Sequence, residues 1–186
     1  MKRIFELLLI YISLFIAGTL AFICSFHTPL LKNIDVFFYR GLFLILLWGC
    51  VFSVVMFGFH KVCADNLVTI RDIILFFIAF CCINVVLFTH LPTTADRSIS
   101  VFMLGYMAEH PDQSFTEEEM EAIFERKYVE EYGAFKKRFH EQEVTGTISR
   151  NGTDGYQITE SGKNLIKLYD FVTDAFSLDD RLVHPR

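Results

Sequence analysis

The polar run at residues 96–98 follows the third long apolar stretch and offers the most suggestive group of side chains for chemistry. Asp96, Arg97 and Ser98 bring a carboxylate, a guanidinium and a hydroxyl to one short segment. Arginine recognises phosphates and carboxylates through paired hydrogen bonds. The run could therefore contact a lipid headgroup or phosphate, or dock onto a partner subunit. The structural alternative is that Asp96 caps a helix and Arg97 lies at the membrane interface.

Basic side chains form a second group in the later part of the chain. Lys136, Lys137 and Arg138 follow one another in a predicted helix, and Arg150 lies in the segment after it. Lysine and arginine neutralise the phosphates of nucleic acids, and this neutralisation supplies much of the binding free energy. These four residues are therefore candidates for phosphate contact.

Acidic residues weigh against a nucleic-acid ligand for this group. Residues 96–186 carry eleven Lys or Arg and eighteen Asp or Glu, a net charge of −7. Nucleic-acid binding requires a positive footprint, so DNA is the less favoured partner. The alternatives are a solvated helix face beside buried Phe135 and Phe139, and contact with anionic lipid headgroups or an acidic loop of a partner.

The chain carries no recognisable catalytic motif. Nothing in it matches a nucleophile elbow, a P-loop, a dinucleotide-binding fingerprint or a zinc ligand set. Cys81 and Cys82 are adjacent within an apolar stretch, and six histidines are scattered along the chain. We therefore expect no catalytic residue, no metal site and no cofactor.

The composition divides the chain into two unlike halves. Of the 186 residues, 53% are apolar and 21% charged, and all five Cys and fourteen of the 21 Phe precede residue 92. Residues 1–95 carry a net charge of +2, against −7 for residues 96–186. This pattern excludes a disordered chain and a small disulfide-stapled secreted protein. We predict a transmembrane domain at residues 1–95 and an acidic, water-soluble domain at residues 96–186.

Three apolar stretches in the first half reach spanning length, at residues 7–26, 41–59 and 73–91. A hydrocarbon core of about 30 Å requires about 20 such residues, and each stretch should be helical because lipid offers no partners for backbone amides. Small residues at Ala17, Ala21, Gly49 and Ser53 predict faces for close helix packing. Asn84 is the only strongly polar residue deep in a span, which predicts an interhelical hydrogen bond or a contact to a substrate or partner helix.

The sequence pattern of residues 96–186 predicts four helices and one β-hairpin. Thr116 and Glu119 form a capping box at the start of the second of these helices, and Gly133 ends it. Residues 144–150 and 156–159 alternate as strands around the turn signals at 151–155. A last helix follows Thr159. Its predicted buried face is Leu165, Leu168, Tyr169, Val172 and Phe176.

The order helix, helix, helix, hairpin, helix resembles a winged-helix (winged helix-turn-helix) domain. The resemblance covers roughly residues 97–178 and includes the phrase Tyr-x-Ile-Thr-Glu-x-Gly at residues 156–162. It implies a small α+β domain, in which DNA-binding members place the third helix in the major groove and the hairpin against the backbone. The predicted fold class is an α-helical membrane protein, with three transmembrane helices followed by a small α+β winged-helix-like domain.

The basic residues that flank the predicted spans are divided almost equally between the two sides of the membrane. The positive-inside rule favours a cytoplasmic N-terminus by four basic residues to three, which would place the soluble domain outside. Winged helices are mostly cytoplasmic, which favours the reverse. We expect a multi-pass protein of a bacterial inner or plasma membrane with a cytoplasmic soluble domain. The basic residues compared are Lys2, Arg3, Lys61 and Arg71 against Lys32, Arg40 and Arg97.

The sequence leaves three functional hypotheses open. The preferred one is a non-catalytic interaction or regulatory protein, an accessory subunit of a larger membrane enzyme or transporter, with envelope glycan or lipid-linked sugar assembly as one setting. Its partners would be the bilayer and an integral-membrane protein. The second is a membrane-tethered winged-helix transcription regulator. The third is a small enzyme acting on a lipid phosphate beside Asp96 and Arg97.

Overall fold

Helices make up most of the computed structural model, which describes residues 2–62, 67–151 and 155–179, together with 181 and 183–185. A π-helix at Phe124–Glu131 follows α6, and β1 (Ile148–Asn151) and β2 (Gly155–Ile158) form a hairpin. The α-helices are α1 (Lys2–Ser25), α2 (Phe37–Val62), α3 (Ile70–His90), α4 (Pro92–Arg97), α5 (Ile99–Glu109), α6 (Glu117–Ile123), α7 (Ala134–Val144) and α8 (Glu160–Phe176).

Backbone contacts divide the chain into two compact units, residues 1–106 and residues 107–186. The first, which we call the membrane unit, contains α1 to α4 and most of α5. The second, which we call the carboxy-terminal unit, contains the remaining elements. Each unit has its own packing.

The membrane unit is built on three long apolar helices. Within the described residues, three helical segments are long and apolar enough to cross a membrane: Ile4–Ser25, Phe37–Val62 and Ile70–Arg97. Their lengths of 22, 26 and 28 residues exceed the requirement of about 20. The predicted helices are confirmed, and by length and composition they could span a membrane. The second helix begins at Phe37, between the early start at Val36 and the start at Gly41 that the apolar pattern allows.

Phenylalanine rings on α3 fill the interior of the membrane unit. Phe76, Phe80 and Phe88 lie on one face of the helix and are at most 1% exposed. Phe80 packs on Gly18 of α1, where an added Cβ would lie 2.6 Å from the ring. Phe88 packs so closely on Gly41 of α2 that an added Cβ would overlap its ring. The three helices therefore meet where a large ring faces a residue without a side chain.

Gly49 of α2 faces α3 as the small-residue pattern predicted. A Cβ there would lie 3.1 Å from the sulfur of Cys81 and 3.2 Å from the ring of Phe77. Ala17 of α1, by contrast, is exposed, and the neighbouring Gly18 is the buried residue. The packing face of α1 is thus turned by one residue from the predicted one.

Arg40, near the start of α2, ties the end of α1 to the connecting loop. Its guanidinium donates to the carbonyl oxygens of Leu30 at 2.9 Å, Thr28 at 3.0 Å and Ser25 at 3.2 Å. It also lies 5.4 Å from the centre of the Phe26 ring. Helix C-termini leave carbonyl oxygens without intrahelical partners, and cations near them are stabilising. Arg40 is therefore a structural clamp.

The carboxy-terminal unit begins with the predicted capping box. Thr116 Oγ1 accepts from the backbone nitrogen of Glu119, and the Glu119 carboxylate accepts from the backbone nitrogen of Thr116. Residues 124–131 then wind as a π-helix, and the predicted α-helix is confined to α6. The rings of Phe124 and Tyr128 stack 5.0 Å apart along it. Gly133 ends the segment with a φ of 64°, a left-handed conformation that suits glycine.

The hairpin is shorter than predicted. β1 and β2 pair antiparallel, with Ile148 opposite Ile158 and Arg150 opposite Tyr156. The prediction that residues 144–147 belong to the first strand is wrong, because Val144 ends α7 and Gly146 turns the chain with a φ of 72°. The turn signals at residues 152–154 lie outside the described residues.

The predicted buried face of α8 is mostly exposed. Thr159 caps the helix as expected, accepting from the backbone nitrogen of Gly162. Leu168, Tyr169 and Phe176, however, are 56%, 52% and 74% exposed. The helix instead buries Gly162, on which an added Cβ would overlap the carbonyl oxygen of Thr147. A glycine contact with the hairpin segment, and not the apolar stripe, decides which side of α8 faces inward.

Replacing Gly41 by Ala should destabilise the membrane unit by about 1–3 kcal/mol, because the added methyl forces the Phe88 ring from its site. Trp48 is the single tryptophan of the chain and lies in α2, so its fluorescence reports on this unit during thermal unfolding in detergent. Gly58→Ala is the matched control, since no atom lies within 4 Å of its added Cβ. Equal melting of the two variants would contradict the packing described here.

Replacing Gly162 by Ala should loosen the contact between α8 and the hairpin segment. The expected cost is about 1–3 kcal/mol, because the obstacle is the backbone oxygen of Thr147 and not a movable side chain. Faster amide hydrogen exchange across β1 and β2 would report this loss. Gly105→Ala, with open space around its added Cβ, should leave the exchange of the hairpin unchanged.

Candidate functional site

The structure uses part of the polar run at residues 96–98 for capping. α4 ends at Arg97, and the Ser98 hydroxyl accepts from the backbone nitrogen of Val101 at 3.2 Å, at the start of α5. Asp96 is half-buried and Arg97 is exposed, and both make contacts. Ser98 therefore caps the start of α5.

Asn84 is completely buried between Phe80 and Phe88 on α3. Its Nδ2 donates to the carbonyl oxygen of Phe80 at 2.9 Å, within its own helix. Its Oδ1 has no hydrogen-bond partner among the described residues. The interhelical hydrogen bond that the sequence predicts for Asn84 is therefore not found among the described residues. A buried acceptor without a donor costs free energy, since lipid and packed rings offer no replacement for water.

The basic run of α7 does not converge on one surface. Consecutive residues of an α-helix point about 100° apart, so Lys136, Lys137 and Arg138 face three directions. Arg138 donates to the carboxylate of Glu141 at 2.6 Å, and Glu141 is only 6% exposed. One of the three cations, the half-buried Arg138, is therefore engaged in an ion pair within the unit.

Arg150 is held by its own hairpin. Its Nε donates to the Tyr156 hydroxyl at 3.0 Å, and its guanidinium lies 5.5 Å from the centre of the Tyr156 ring. The hydrogen bond to the Tyr156 hydroxyl and the nearby Glu143 carboxylate raise the pKa of Arg150 above its usual value. Arg150 therefore stays positively charged. Part of its hydrogen-bonding capacity and one face of its guanidinium are already used by Tyr156.

The structure shows an open groove on α7 that the sequence did not predict. It has a volume of about 220 Å³. We call it the α7 groove. Its aromatic floor continues into the hairpin, since the rings of Phe135 and Phe139 are 5.9 Å apart and Tyr156 meets Phe139 edge-on at 4.8 Å. The residues lining the groove are Phe135, Lys136, Phe139, His140 and Glu143.

The prediction that Phe135 is buried is wrong. Phe135 is 63% exposed, whereas Phe139 is half-buried against the hairpin. The residues are one helical turn apart, so the same face of α7 begins in solvent and ends in a packed contact. Of the basic candidates, Lys136 is the one that lies on this face.

The chemistry of the α7 groove favours recognition of another macromolecule. Ligand pockets for small molecules and cofactors are about 300–1,000 Å³. The volume of the α7 groove, about 220 Å³, lies below this range, and its aromatic floor can take an apolar group. Lys136 and His140 at its edge can donate to a carboxylate, and Glu143 can accept from a donor. Among the described residues, no three His, Cys, Asp or Glu side chains are grouped to hold a metal ion.

Replacing Asn84 by Leu should stabilise the membrane unit by about 1 kcal/mol, because the leucine has a similar volume and removes an acceptor that lacks a donor. Thermal unfolding in detergent, followed by Trp48 fluorescence, measures the change. Asn84→Asp is the opposing control and should be destabilising, because it places a carboxyl group in the same buried position. A lower melting temperature for the leucine variant would indicate that Oδ1 has a partner in the membrane.

No protein-family model matches this chain, and neither a curated protein nor a solved structure matches it.

Proposed function

We propose that this chain is a membrane-anchored, non-catalytic interaction protein that serves as an accessory subunit of a larger membrane enzyme or transporter. In this proposal α1 to α3 span the bilayer, and the carboxy-terminal unit recognises an integral-membrane partner through the α7 groove. The single observation that carries the proposal is the exposed aromatic floor of that groove. Aromatic side chains are enriched in the cores of protein interfaces.

The membrane unit supports the role of an anchor. Several of its polar side chains bond within the unit: the Ser53 hydroxyl donates to the carbonyl oxygen of Gly49 at 2.7 Å, and Trp48 Nε1 donates to Ser25 Oγ at 2.8 Å. Polar residues that line a substrate path or a proton relay would instead face a cavity. The interior of this unit is filled by phenylalanine.

The order of elements in residues 97–178 resembles that of a winged-helix domain, although most of α5 belongs to the membrane unit. α5, α6 with the π-helix, α7, the hairpin and α8 follow one another in that order. Among the functions that such a module can have, protein recognition fits this one better than DNA recognition. The cations of α7 are dispersed around the helix, and residues 96–186 carry a net charge of −7.

The proposed partner offers the groove an apolar side chain and a nearby carboxylate. The side chain would fill the groove over Phe135 and Phe139, and the carboxylate would meet Lys136. Apolar anchors in small pockets dominate the binding free energy of most interfaces, and the surrounding polar contacts supply register. We place the carboxy-terminal unit in the cytoplasm, where winged-helix modules mostly occur.

Replacing Phe135 by Ala should reduce partner binding at least tenfold, because it removes the exposed part of the groove floor. Affinity capture of the tagged full chain from native membranes, with the co-purifying protein quantified against the bait, measures this. Lys136→Glu should also reduce capture, by reversing the charge at the groove edge. Lys137→Glu is the matched control, since it makes the same change one residue away on another face of α7.

Two results would contradict the proposal. One is a wild-type chain that purifies from native membranes without a stoichiometric protein partner. The other is a gel shift of duplex DNA that weakens steeply between two salt concentrations and is lost in Lys136→Glu, since that dependence identifies phosphate contacts.

A further inference from the structure

α5 is a short helix that is uncharged along almost its whole length. It has eleven residues, from Ile99 to Glu109, and Glu109 is the one charged residue among them. A helix on the surface of a water-soluble domain usually has one apolar side and one charged or polar side. α5 has no charged side, so water is a poor environment for it in any orientation.

The described parts of the chain leave much of α5 uncovered. None of its residues is buried. The rings of Phe102 and Tyr106 stack 6.2 Å apart on its half-buried side. Four apolar side chains spread over ~200° of the helix, at about 100° per residue, and each is between 38% and 68% exposed. They are Ile99, Val101, Leu104 and Met107.

α5 is joined to the third candidate span by a single residue. The helical segment Ile70–Arg97 is one of the three that could cross a membrane, and Ser98 alone separates it from Ile99. Two steps of about 3.8 Å between Cα atoms are the greatest distance that can separate the two helices at this point. Residues 99–106 also belong to the membrane unit. α5 therefore begins where the span ends, and no linker carries it into water.

The length of α5 excludes a further crossing of the membrane. Eleven residues rise ~16 Å, which is about half of a hydrocarbon core of about 30 Å. An apolar segment of this length is typical of a buried core helix or of a helix that lies in the membrane interface. Because the described residues do not bury α5, the membrane interface is the environment that fits it.

We propose that α5 is an interfacial helix, which lies at the boundary between the lipid headgroups and the acyl chains on the side where the third span ends. Acyl chains cover the exposed side that carries Val101, Leu104 and Met107. Arg97 before the helix and Glu109 at its end reach the headgroups and water. This placement rests on the part of the proposed function in which α1 to α3 span the bilayer, and it adds one more membrane contact to them.

The composition of α5 favours acyl chains over a particular headgroup. Helices that bind anionic bilayers electrostatically carry Lys and Arg on the polar face. α5 carries neither, and residues 96–186 have a net charge of −7. Burial of apolar surface therefore drives the insertion, which should be the same in vesicles of phosphatidylcholine and in vesicles that also contain phosphatidylglycerol. A requirement for phosphatidylglycerol would contradict the proposal.

Fluorescence quenching by lipid tests which molecule covers α5. In Leu104→Trp, the emission in excess of the wild type comes from the new residue, since Trp48 is the one native tryptophan. The purified full chain is placed in vesicles of phosphatidylcholine with brominated acyl chains. The excess emission should be quenched at least as strongly as that of Trp48. Gln157→Trp, on the exposed part of β2, is the control and should be quenched little.

Thiol reactivity in the same vesicles, without bromine, gives an independent measurement. N-ethylmaleimide crosses bilayers but attacks the thiolate, so a cysteine in lipid should react about tenfold more slowly than one in water. Leu104→Cys should be slow and Gln157→Cys fast, as measured by mass spectrometry of the modified peptides. The native Cys50 and Cys82, which lie on exposed sides of α2 and α3, are the slow reference.

The outcomes separate this proposal from the proposed function. If Leu104→Cys reacts as fast as Gln157→Cys while Cys50 and Cys82 stay slow, α5 lies in water and this proposal alone is overturned. A slow Leu104→Cys combined with an unquenched Leu104→Trp would show that a second copy of the chain covers α5, which also overturns it. Fast reaction of Cys50 and Cys82 would overturn the membrane anchor as well. None of these measurements depends on a partner of the α7 groove.

Discussion

The membrane unit depends on the contact between a phenylalanine ring and a glycine. Inside a bilayer, apolar side chains gain nothing by leaving lipid for protein, so helices associate only where surfaces approach closely. Phe80 on Gly18 and Phe88 on Gly41 provide this approach at two levels of α3. Arg40 then fixes the connection between α1 and α2 outside the packed rings. The result is a filled interior that suits an anchor.

The carboxy-terminal unit is held together more by helix caps and local hydrogen bonds than by a packed core. Among its described residues, Met120 is the buried large apolar side chain, and much of the order comes from caps and local bonds. Thr159 is an example, since its hydroxyl donates to the carbonyl oxygen of Gly146 at 2.7 Å while it caps α8. A unit with so small a core gains stability from whatever binds its folded form.

The two exposed surfaces of this unit differ in kind. The α7 groove is small, aromatic and edged by Lys136, His140 and Glu143, so it suits one side chain of an unlike partner. The exposed side of α8, with Leu168, Tyr169 and Phe176, is longer and apolar.

The sequence by itself determined the three apolar helices, the Thr116 capping box, the break at Gly133 and the start of α8, because each depends on a few neighbouring residues. It did not determine which side of α8 is buried, since a contact between Gly162 and the backbone of residue 147 outweighs the apolar stripe. Nor did it reveal the exposure of Phe135. Burial depends on which surfaces meet in space, and only the tertiary structure brings distant segments together.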